Sequence, residues 1–167
     1  MICFYYVGRI VERQKKFNLF FDLIKTLNET NLDICFKIFG DGDVELLSNI
    51  KSLGNEKTHI EYFGFKTNWV QHISEGAIQI FLSDYEGCPL ALLEAYKNNN
   101  KFIAVLNSPG LYHYVSNNCI FSNIYEMAAA ISQVHDFHNY IDLSEYFNDD
   151  RHTKEVNKSF NNIFELS

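Results

Sequence analysis

The chain has 167 residues, 47% of them hydrophobic and 16% aromatic, enough for one domain with its own core. A formal charge of −7 argues against a broad nucleic-acid footprint. No apolar run approaches the roughly 18 residues of a membrane helix, and the start Met-Ile-Cys-Phe-Tyr-Tyr lacks the charged-then-apolar layout of a signal peptide. The cysteines Cys3, Cys35, Cys88 and Cys119 show no C-x-x-C spacing and read as reduced core thiols of a cytoplasmic protein. Of the histidines, His135 and His138 are close enough to share a helix face. With only Asp136 beside them they do not read as a metal site.

In chain order, strand-like runs alternate with amphipathic ones. Ile2 to Val7 is aromatic and β-branched and is broken by Gly8-Arg9. Phe17, Phe20, Phe21, Ile24 and Leu27 form a helical stripe. Ile34 to Phe39 is a second buried strand ended by Gly40-Asp41-Gly42-Asp43, where the glycines shape a turn. Val44 to Leu53 reads as a helix closed by Gly54, and Ile60 to Gly64 as a short strand. Trp69, Val70, Ile73 and Ala77 predict a further helix, capped from Thr67 or Asn68. Ile78 to Leu82 and Phe102 to Leu106 are strands, Tyr112 to Val115 a short helix, and Ile120-Phe121 a last short strand. Ile124 to Val134 and Asp150 to Leu166 read as helices. Such alternation predicts an α/β, Rossmann-like doubly wound parallel sheet with helices on both faces. Right-handed crossovers then place the loops at Gly8-Arg9 and Ser83-Pro89 on one edge, the carboxyl ends of the strands, where ligands bind.

The second of these loops carries the most chemistry. Ser83-Asp84-Tyr85-Glu86-Gly87-Cys88-Pro89-Leu90 leads from a strand into a helix containing Glu94-Ala95. Gly87 and Pro89 mark the helix start, where proline's missing N–H is tolerated. Glu86 and Glu94 are eight positions apart, a little over two helical turns, so a helix reaching Glu86 would align them on roughly one face. The helix N-terminus suits a phosphate, and a carboxylate deeper in suits the paired hydroxyls of a ribose. Either glutamate alone would be a solvated helix charge; the surrounding Ser-x-x-Glu-Gly-x-Pro-x-x-x-x-Glu-Ala pattern is what carries the signal.

Val7-Gly8-Arg9, Lys15, Ile38-Phe39-Gly40-Asp41-Gly42, Phe63-Gly64, Ser83 and the Glu86…Glu94 pair together resemble the carboxy-terminal, donor-binding domain of a family 4 glycosyltransferase with the GT-B architecture, over about residues 5 to 134. The resemblance implies that Arg9 and Lys15, with Lys16 as a neighbouring candidate, bind the diphosphate of a nucleoside-diphosphate sugar of the UDP or GDP type. It implies that Glu94 holds the ribose, and that Glu86, the catalytic candidate, lies near the transferred sugar. Backbone N–H groups of Gly87, Cys88 and Leu90 would face phosphate. It further implies a retaining transfer without metal or other cofactor, in surface polysaccharide or glycolipid synthesis, with peripheral membrane association carried largely by the other domain.

A GT-B enzyme has two such domains. Residues 1–167 are therefore expected to be the donor half alone, an excised or truncated piece whose acceptor half lies on a missing N-terminal domain or a partner subunit, and which is inactive in isolation. Tyr96-Lys97-Asn98-Asn99-Asn100-Lys101-Phe102 replaces the family's usual small-Gly-x-Pro stretch, and Cys88 stands where an aromatic or other apolar residue is common. The competing readings are a non-catalytic Rossmann-like interaction subunit and a GT-B relative such as a nucleotide-sugar epimerase. Trp69 reads chiefly as core packing or a helix-start contact.

Overall fold

A computed structural model of the chain describes residues 1–86, 89–100, 102–112 and 114–133. Its strands are β1 (Ile2–Val7), β2 (Ile34–Phe39), β3 (Thr58–Gly64), β4 (Ile78–Phe81), β5 (Phe102–Leu106) and β6 (Ile120–Phe121). They pair in parallel in one sheet of order β3-β2-β1-β4-β5-β6. The helices are α1 (Asn18–Asn28), α2 (Val44–Lys51), α3 (Leu90–Lys97) and α4 (Ile124–Gln133). This is the doubly wound α/β arrangement, with its strand order reversing between β1 and β4.

Alternation along β1 assigns the two faces. Phe4 and Tyr6 point to one side, where Phe4 stacks on its register partner Phe36 at 4.9 Å and Tyr6 meets Phe20 of α1 edge-on at 4.9 Å. Phe20, Leu23, Ile24 and Leu27, the buried stripe of α1, complete that core together with Met127 and Ile131 of α4. Tyr5 points the other way, into a smaller cluster with Phe39, Trp69, Ala77 and Ala95. Burial on both faces is why the strands read as continuous apolar runs. Of the cysteines, Cys35 and Cys119 are buried and Cys3 half-buried, all as free thiols. Burial, with Cys3 alongside, pushes the Cys35 thiol up to about 12, so it stays protonated at neutral pH. Among the described residues no helix is long and apolar enough to cross a membrane.

Some sequence expectations shift. Asp43 caps α2, accepting from the N–H groups of Glu45 and Leu46 at 2.8 and 3.1 Å, and the helix ends at Lys51. The helix expected from Trp69 is a single 3₁₀ turn, Trp69–His72. Asn68 does not cap it, donating instead to the Gln71 side chain at 3.1 Å. The chain must bury Trp69, then be extended at Ile73 and turn at Gly76 (φ 78°) to enter β4, which leaves no length for a second turn. The short helix expected at Tyr112 to Val115 is likewise replaced by a 3₁₀ turn at Pro109–Leu111, set earlier because proline preorganises the start. The helix expected at Asp150 to Leu166 and the His135–His138 pair lie outside the described residues.

Two glycines allow the loops after β1 and β2 to touch. A Cβ on Gly40 (φ 133°) would lie 1.9 Å from the Gly8 carbonyl oxygen, and one on Gly42 would lie 2.1 Å from that of Ile10. Ile10 N–H donates to Asp41 O at 2.9 Å and Asp43 N–H to Ile10 O at 2.8 Å, zipping the loops beyond the sheet. Gly40→Ala is therefore expected to destabilise the protein by more than about 2 kcal/mol in urea unfolding, since the methyl meets backbone that cannot move aside.

Candidate functional site

Because β1 and β4 are neighbours, the loops that leave their carboxyl ends meet. Lys15 forms an ion pair with Glu86 and Lys16 one with Asp84. Gln14 donates to Tyr85 O at 3.2 Å, and Asp84 N–H donates to Gln14 O at 3.1 Å. Three consecutive residues of one loop thus hold three of the other. Glu86 is only 8% exposed. Its backbone lies flat against Gly110, where a Cβ would be 1.7 Å from the Glu86 carbonyl oxygen. Tyr6 lies beneath this junction, its hydroxyl donating to Arg9 O at 2.6 Å. Burial raises the Tyr6 pKa, Glu86 raises it further, and Arg9 opposes both.

Beside the junction opens a cleft of about 880 Å³. Its floor is Val7, Gly8 and Arg9 after β1 and Phe39 to Gly42 after β2. One wall is Phe65, Lys66, Thr67 and Trp69 after β3; the other is Leu90, Ala91 and Glu94 of α3. The first N–H groups of α3, those of Leu90 and Ala91, have no acceptor within the helix and bring its positive end to the cleft. Arg9 is exposed there and has no ion pair among the described residues. Deeper in, Glu94 accepts the indole N–H of Trp69 at 2.8 Å. Asp41 accepts Phe65 N–H at 3.2 Å, tying the floor to the first wall.

The site residues named from sequence fall into three groups. Arg9, Leu90 and Glu94 line the cleft together. Lys15 and Glu86 do not line it; they face each other at its border. Gly87 and Cys88 lie outside the described residues. The idea of two glutamates on one helix face is corrected: α3 starts at Leu90, so Glu86 belongs to the loop, where Lys15 and Gly110 fix its direction. Pro89 is the residue before the helix and not its first residue. Lys16, the neighbouring candidate for the diphosphate, has φ 45° and pairs with Asp84.

Sequence reasoning missed Asp41, Phe65, Lys66 and Thr67. A signal existed, because each follows a strand at the edge assigned to ligands, and Phe65 is an aromatic residue left 70% exposed directly after Gly64. Trp69 has both a core role and a place in the cleft wall. Chemically, a cation and a helix N-terminus at one end, and a carboxylate at the other, suit a ligand with an anionic group joined to a hydroxyl-bearing one.

The family described as Glycosyl transferases group 1 matches residues 2–136. No curated protein matches the sequence. Among solved structures, the apo form of the lipopolysaccharide outer core galactosyltransferase WaaB is 20% identical with a TM-score of 0.63, covering 92% of this chain and 49% of its own. A mutant of S. aureus TarM, in complex with fondaparinux, α-GlcNAc-glycerol and UDP, is 19% identical with a TM-score of 0.72, covering 97% and 35%. The C-terminal domain of a glycosyl transferase group 1 family protein (LpcC) from Francisella tularensis is 16% identical with a TM-score of 0.66, covering 90% and 86%. The chain thus spans about half or less of the first two and most of the third, and its fold is that of GT-B glycosyltransferase domains.

Breaking the ion pair at the border should be felt in stability. Lys15→Met and Glu86→Gln are each expected to cost about 1–2 kcal/mol in urea unfolding, because each strands a largely buried polar partner. The double variant should lose less than the sum, giving a measurable coupling energy.

Proposed function

The chain belongs to the glycosyl transferases group 1, and from that premise we propose that it is the nucleotide-sugar-binding half of a family 4, retaining glycosyltransferase. The observation that carries the reading is the meeting of Arg9, the N-terminus of α3 and Glu94 around one cleft. A nucleoside-diphosphate sugar fits these groups in order. Its diphosphate takes Arg9 and the Leu90 and Ala91 N–H groups, and its ribose hydroxyls donate to Glu94. The exposed Phe65 supplies a flat apolar surface for the base. Uridine is the favoured base, in keeping with UDP in the S. aureus TarM complex.

Transfer breaks the bond between the anomeric carbon and the diphosphate oxygen, whose electron pair leaves with the diphosphate, while an acceptor hydroxyl oxygen bonds to that carbon and its proton passes to the departing diphosphate. Arg9 and the end of α3 stabilise that charge as it develops. Lys15 starts the cycle paired with Glu86. An incoming phosphate competes for Lys15, which frees the Glu86 carboxylate to accept from a hydroxyl of the transferred sugar. The same cation then serves the leaving group, and no metal is needed for it. The acceptor, a glycan or lipid-linked sugar of a cell-surface polymer, binds the other half of the enzyme, an N-terminal domain or partner subunit that also brings the full enzyme to the membrane periphery. Tyr85, 64% exposed beside the cleft, and Leu90 lie on the edge such a half would cover. A non-catalytic interaction module would use this edge too, but it would have no affinity for nucleotide.

Calorimetric titration of UDP, GDP and their common sugar conjugates into the chain separates the two. Saturable binding tighter than about 1 mM, near −4 kcal/mol, is expected for one nucleotide, weakened at least tenfold by Arg9→Ala and by Glu94→Ala. Absence of binding to every nucleotide at millimolar concentration contradicts the donor reading and favours the interaction module.

A further inference from the structure

The contact between Trp69 and Glu94 has a consequence for selectivity. Trp69 is 3% exposed, with its ring against Tyr5 at 5.7 Å and Phe39 at 6.3 Å. The 3₁₀ turn that carries it is tied to β2, since Lys37 Nζ donates to His72 O at 2.8 Å. The indole therefore has one place to stand. From it, the Nε1–H donates to Oε2 of Glu94 at 2.8 Å, across the wall of the cleft.

The chemistry of this partner matters. An indole N–H only donates, so it cannot accept from a ligand hydroxyl as the carboxylate does. Being neutral, it orients Glu94 without cancelling its charge, as a lysine or arginine would. A hydrogen bond to one oxygen restrains the carboxylate and leaves Oε1, with the second lone pair of Oε2, free to accept.

We propose that Trp69 is a positioning residue that holds the Glu94 carboxylate to accept the vicinal hydroxyls of a ribose, and so makes the site select ribonucleoside over deoxyribonucleoside diphosphates. The inference rests on the donor-site reading and goes beyond it, because it assigns the selectivity to a residue that acts through Glu94. Without the N–H the carboxylate can rotate, and the hydroxyls lose their fixed partner while the phosphate contacts remain.

The test compares UDP with its 2′,3′-dideoxy counterpart, by calorimetry, in the wild type and in Trp69→Phe. The wild type should prefer UDP by about tenfold or more. Trp69→Phe should abolish most of that preference while binding the dideoxy compound within about twofold of wild type, which also shows that the variant is folded. In a Glu94→Ala background, Trp69→Phe should add no further loss. The sequence contains one tryptophan, so a second readout needs no variant at position 69. Its single indole N–H resonance should shift on adding UDP, shift little with the dideoxy compound, and move upfield in Glu94→Ala. Equal weakening of both ligands by Trp69→Phe, or no effect on either, overturns the positioning role. Equal affinity of the wild type for both ligands also overturns it. A wild type that binds neither at millimolar concentration brings down the donor-site reading, and this inference with it.

Discussion

The pairing of β1 with β4 is the constraint on which the ligand edge depends. In a sheet of order β3-β2-β1-β4-β5-β6 these neighbours are distant in sequence, and the chain leaves them towards opposite faces. The helices that follow them lie on opposite faces, and beside the point where their loops meet a crevice opens beyond the carboxyl ends of the strands. The floor of that crevice exists because Gly40 and Gly42 let the β2 loop lie directly on the β1 loop. Its far wall exists because the link from β3 to β4 must pass beneath the sheet, and buries Trp69 on the way.

The same adjacency sets up a charge arrangement at the border. Lys15 and Glu86 neutralise each other where both are largely shielded from water. Each is held by backbone as well as by its partner, through the Gln14–Asp84–Tyr85 contacts on one side and Gly110 on the other. Such a pair contributes little net stability compared with apolar packing, but removing one member is costly. Under the proposed function the diphosphate brings its own negative charge and takes over the lysine, with Arg9, exposed at the cleft, as its first point of attraction.

Most of the sheet was legible in the sequence for a simple reason. Strands buried on both faces are continuous apolar runs, and α1 shows its buried face in the spacing of Phe20, Ile24 and Leu27, although Leu23 completes it in place of the half-buried Phe21. Placing the two chemical loops on one edge followed from strand–helix alternation alone. The elements that went astray were the short ones. Trp69, Val70, Ile73 and Ala77 fit a helical period, but four residues cannot distinguish one 3₁₀ turn followed by extended chain from two α turns. The partners of the site residues were also invisible: Lys15 and Glu86 are 71 positions apart, and Trp69 and Glu94 are 25 apart. No local spacing encodes such contacts; they are products of topology. The resemblance supplied roles for Arg9, Lys15, Glu86 and Glu94, but not the route by which Glu86 leaves the helix face, nor the wall formed by Phe65, Lys66 and Thr67.

The most direct test of the account is a crystal structure of the chain grown with UDP. Ordered nucleotide is expected in the cleft, with its diphosphate against Arg9 and the first turn of α3 and its ribose hydroxyls on Glu94. Nucleotide bound instead at another surface, with this cleft empty, would contradict it.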